Sequence, residues 1–140
     1  MTVLLVKSLL TTLALLLAAF QGLTQLQLRG RMPGIMPFSK KTLRALHRWG
    51  GDLILLLVVG IALLCIHTQG WQTYDVRGAA HIVAGTLAAL VLLIKVLIAR
   101  LRRRWIGKLG LGLGFAAGLF IAAVWSLSAL WYFLFQSGWI

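Results

Sequence analysis

"CIHTQGWQTYDVRGAAH", Cys65–His81, is a short polar stretch set between two long apolar runs, with a histidine at each edge. A bilayer core of about 30 Å is spanned by roughly 20 helical residues. The flanking runs, Leu46–His67 and Ala80–Ala99, both meet that length. The stretch therefore reads as a tight connection between two antiparallel membrane helices. That arrangement puts His67, closing the first helix, and His81, opening the second, at about the same depth. Two further runs, Val3–Gln27 and Leu109–Phe135, complete the pattern. The expected fold is an all-α, polytopic bundle of four transmembrane helices, forming a single domain over residues 1–140.

Composition agrees with that class. Hydrophobic residues make up 61% of the chain, charged residues 11%, and mean hydropathy is +0.96. Soluble domains carry about 25% charged residues. The net charge of +12 raises nucleic acid as a partner, but its distribution argues against one. Six cations lie between the first two runs or at the entrance to the second (Arg29, Arg31, Lys40, Lys41, Arg44, Arg48), and five more in and after "RLRRR" (Arg100, Arg102, Arg103, Arg104, Lys108). The histidine connection holds only Arg77, balanced by Asp75. Short basic loops stay on the cytoplasmic side, so both basic connections are expected inside, and the histidine connection and both termini outside. This charge suits topology and lipid headgroups. Trp71, Tyr74, Trp131, Tyr132 and Trp139 would form an aromatic belt at the outer ends.

Lys7 before an apolar stretch resembles a signal peptide. The stretch is long for one, and is read as a retained first helix. The segment "RGRMPGIMPFSKK", with both prolines, is an inner loop. Cys65 is the single cysteine, so no intrachain disulfide forms.

Small residues accompany the two histidines. Gly60 lies seven before His67, and Gly85 four after His81, and glycine lets a flat group or a second backbone come close. The plain reading is two imidazoles hydrogen-bonding at the membrane interface. Matched histidines on facing helices, backed by glycine, fit bis-histidine ligation of a haem b iron better. Zinc wants about four ligands, and no cysteine or carboxylate pair joins these two. A second pair, Asp52 and Lys95, should match in depth toward the inner face. They read either as a facing ion pair, or as Asp52 bound to Arg48 one turn away with Lys95 snorkelling to headgroups. His47 precedes His67 by twenty residues, about 30 Å along a helix, and belongs to the opposite face as a structural or headgroup-contacting residue.

"LHRWGGD", "LLCIHTQGWQ", "HIVAGTLAALVLLIKV" and "WSLSALWYF" resemble segments of small four-helix bacterial membrane cytochromes of the b type. The "HRW-x-G" and "H-x-x-x-G" patterns are also similar to those of the ascorbate-linked dihaem transmembrane cytochromes. The resemblance covers residues 43–135 and implies haem ligands at His67 and His81. The dihaem families supply four histidines in two pairs; this chain has three. It also implies a bacterial inner (plasma) membrane location, and electron transport with a redox partner or a larger membrane complex. Arg77 is a candidate partner for a haem propionate or a solvated loop charge, and Ser126 and Ser128 are candidates for the pocket wall or for helix packing. The alternative is a non-catalytic accessory subunit of a respiratory or photosynthetic complex, its histidines holding a pigment magnesium or simply packing.

Overall fold

The computed structural model describes residues 2–32, 34–70, 75–101 and 103–136. Four long helices form: α1 (Thr2–Leu28), α2 (Lys40–Gln69), α3 (Val76–Leu101) and α4 (Arg103–Trp125). Beyond Trp125 the last helix widens into two π-type turns, Ser126–Leu130 and Tyr132–Gln136. Each helix contains a stretch long and apolar enough to cross a membrane: Val3–Leu28, Lys40–Thr68, Val76–Leu101 and Gly107–Phe135. No strand occurs among the described residues. The chain is a multi-pass, all-α membrane protein.

The ends of the helices follow from local chemistry. Ser39 caps α2, its hydroxyl accepting from the Thr42 amide at 3.2 Å, which satisfies a donor the first turn cannot. Asp75 does the same for α3, accepting from the Gly78 amide at 2.8 Å. Gly70, at φ 70°, ends α2 and donates its N–H to the Ile66 carbonyl, a backbone conformation that glycine adopts without strain. The Gln27 side chain clamps both backbone groups of Met36, at 2.9 and 3.0 Å, and so pins the first connection to α1. Arg29 then donates to the Gly107 carbonyl at 3.0 Å, tying that connection to the start of α4.

Three helices start earlier than the apolar runs do. α2 begins at Lys40 rather than Leu46, α3 at Val76 rather than Ala80, and α4 at Arg103 rather than Leu109. Lys and Arg are good helix formers, so cationic turns extend a helix beyond the point where hydropathy detects it. The second basic connection is thus mostly helical ends.

The helices close a ring in which α1 packs on α2 and α4, α3 packs most extensively on α4, and α2 touches α3 least. Among the described residues the diagonal pairs do not meet. The centre is built from Ala14, Ile54, Ile61, Ala88, Leu92, Ala117 and Ile121. Its alanines matter because lipid tails are as apolar as leucine, so association relies on close backbone approach and interhelical hydrogen bonds. α1 is an integral member: Ala14 and Thr24 are fully enclosed. Of the aromatic belt, Trp131 is exposed but Tyr132 is buried, since consecutive helical residues point about 100° apart; Trp71, Tyr74 and Trp139 lie outside the described residues.

Candidate functional site

The two histidines of the opening stretch end at the same end of the bundle but on differently packed surfaces. His67, in the last turn of α2, is exposed. It lies six residues beyond buried Ile61, roughly 120° around the helix from the core line. Gly60, on the same flank, has no atom within 4 Å of where a Cβ would sit. His81 is half-buried and belongs to the line of Ala84, Ala88 and Leu92. Its ring lies against the Val124 backbone, within electrostatic reach of Lys7 and Arg77. A Cβ on Gly85 would meet the Val124 side chain at an ordinary contact distance of 3.9 Å, so the approach of α3 to α4 does not require a glycine here. Among the described residues no hydrogen bond or ion pair joins the two histidines, and no group of three or more His, Cys, Asp or Glu side chains converges on a metal-sized space.

Arg77 sits one turn before His81. Its guanidinium stacks over the Trp131 ring at 4.7 Å and approaches Asp75 at 3.7 Å. Ser128 donates to the Val124 carbonyl at 2.6 Å and Ser126 to the Ala122 carbonyl at 2.9 Å. Both serines thus satisfy their own helix.

Asp52 pairs with neither residue that the sequence suggested. Its Oδ2 accepts from Arg100 Nη2 at 3.0 Å. The reason is rotational. Asp52 lies two residues before buried Ile54, about 200° around α2 and so on its outer flank. Lys95 is seven beyond buried Ala88, nearly in line with it, and its Nζ comes within 3.2 Å of where a Gly114 Cβ would sit. The Arg100 side chain is 60% exposed, so a double-mutant cycle of Asp52→Asn with Arg100→Gln should give a coupling of about 0.2–1 kcal/mol. The equivalent cycle of Asp52→Asn with Lys95→Met should be additive; thermal melts in detergent would check both.

The interior holds more polar chemistry than the histidine pair alone. Lys7, Ser8, Thr11, Gln21 and Thr24 of α1 are all buried. At the histidine end the Lys7 ammonium donates to Thr68 Oγ1, and Trp125 Nε1 donates to Thr12 Oγ1 at 3.0 Å. At the other end Thr24 Oγ1 and His47 Nδ1 lie 2.9 Å apart. Gln21 donates to the Leu46 carbonyl at 3.3 Å, and its amide fills the place a Cβ at Gly50 would take. Gln25 Oε1 lies 2.7 Å from the Cβ position of Gly114. An apolar middle layer, Ala14 with Ile54, Ile61 and Ala88, separates these two clusters. In the sequence the polar α1 residues stand as two groups, Lys7–Thr12 and Gln21–Gln25, on either side of an apolar stretch. Lys7 instead read as the charge that precedes a signal peptide.

A family model described as "Family of unknown function (DUF6529)" matches residues 1–139. The chain belongs to that family. No curated protein and no solved structure matches it.

Proposed function

We propose that the chain is a b-type haem-binding integral membrane protein of electron transport, with haem b held by His67 and His81 at the outer end of α2 and α3. The observation that carries the reading is the α2–α3 seam. Of the adjacent helix pairs these two touch least, His67 and His81 stand at the same end of them, and Gly60 beside His67 faces open space. A flat macrocycle would take the space left where α2 and α3 touch least, and His67 and His81, at matched depth, would be its ligands. When bound, the haem supplies the one-electron chemistry, and the protein tunes it through axial ligands and burial.

The chain's own part is to present two imidazoles. If a haem is bound, His81 would give up its contact with the Val124 backbone to serve as a ligand, and Arg77, one turn away, would pair with a propionate. Asp75, the only carboxylate at that end, is already beside Arg77. A reduced-minus-oxidised visible spectrum of the purified protein tests this. A sharp α band at the b-haem position is expected; a far-red pigment band, or no bound chromophore, would favour the accessory-subunit reading instead.

We place the protein in a bacterial inner membrane with both termini and the histidine end outside, because the cations concentrate at the other end. In a Cys65→Ser background, a Val76→Cys thiol should label from outside the cell. An Arg104→Cys thiol should label only after permeabilisation. The reverse pattern would sink this orientation.

A further inference from the structure

We infer that a cleft at the basic end of the α2–α3 seam binds the phosphate headgroup of an anionic membrane lipid. The cleft encloses about 340 Å³ and is lined by Arg48, Trp49, Asp52 and Arg100. It lies at the opposite end of the bundle from His67 and His81 and stands independently of the haem reading.

Charge selects the class of ligand. Asp52 is the only carboxylate at this end, and its Oδ2 is engaged by Arg100 at 3.0 Å. The only other acidic residue, Asp75, is beside Arg77 at the far end. Arg48 is therefore left without a carboxylate partner among the described residues, and the lining carries a net positive charge. Asp52 has a second effect, since its bond holds the Arg100 guanidinium across the seam from α3 to α2. Two planar guanidiniums facing one cleft suit a phosphate, which each can bind through paired N–H donors.

The surroundings select a lipid over a free ion. Trp49 is 73% exposed, and an indole at a helix end sits at headgroup level. Beyond it along the same α2 flank, Leu53 and Leu56 are exposed, an apolar track on which acyl chains can lie while the headgroup occupies the cleft. Basic pockets between membrane helices recognise anionic headgroups in this way. A zwitterionic lipid gains less, because its ammonium meets the same two arginines.

Native mass spectrometry of the full chain in detergent, titrated with phosphatidylglycerol, phosphatidylcholine or inorganic phosphate, tests the assignment. One phosphatidylglycerol per chain should be retained in preference to phosphatidylcholine. Arg48→Gln should weaken that retention about five-fold, while Lys41→Gln, an equal charge change outside the cleft, should leave it unchanged. Arg48 and Lys41 are both exposed, so folding is not at stake in either variant. Equal losses in the two variants would reduce the effect to bulk charge and overturn the proposal, as would equal retention of phosphatidylcholine. Displacement of the lipid by inorganic phosphate at the same concentration would show a free-phosphate site and overturn the lipid assignment.

Discussion

His81→Ala and His67→Ala are each expected to abolish the low-spin haem spectrum while leaving the protein inserted in the membrane. A six-coordinate b haem needs both axial nitrogens, so losing either leaves a high-spin or empty site. The two variants should nonetheless differ in stability. His67 is exposed at the end of α2, and its removal opens no cavity in the bundle. His81 is half-buried against α4, so its truncation also removes interhelical packing. The expected order of melting temperatures is wild type, then His67→Ala, then His81→Ala, with haem lost in both. Wild-type haem content and spectrum in both variants would remove the ligand assignment.

His47→Ala is expected to do the opposite: to keep the single haem and lose stability. His47 lies on the buried line of α2, four residues after Leu43 and seven before Ile54, and its Nδ1 meets Thr24 Oγ1. That contact crosses from α2 to α1, where helix association depends on packing and interhelical hydrogen bonds. Its loss should cost about 1–2 kcal/mol, and Thr24→Val should show a non-additive effect in the double variant. Pyridine haemochrome should give one haem per chain in both wild type and His47→Ala. Two haems in the wild type, one of them lost in the variant, would make His47 a ligand and restore a dihaem, membrane-crossing arrangement.

The contrast among the three histidines shows where sequence reading works and where it stops. Spacing alone put His47 and His67 at opposite ends of one helix and His67 and His81 at the same end of two, because rise per residue is a local property of the backbone. It did not say which way each imidazole faces. His67 and Asp52 lie on the outer flank of α2 and Lys95 faces the bundle centre, so a pairing inferred from matched depth gave way to Asp52 with Arg100. Rotation about a helix axis acquires meaning only once the neighbours are in place.

Helix number and membrane class came from the sequence by itself, since an apolar run of membrane length is stable in lipid as a hydrogen-bonded helix. The charge difference between the two ends was legible in the same way. Only the tertiary structure decided that α1 brings a line of buried polar groups into the bundle, that α2 and α3 form the loosest seam, and that Arg48 and Arg100 share a cleft. Each of these depends on which helices become neighbours, and that is set by small-residue packing and hydrogen bonds between segments distant in the chain.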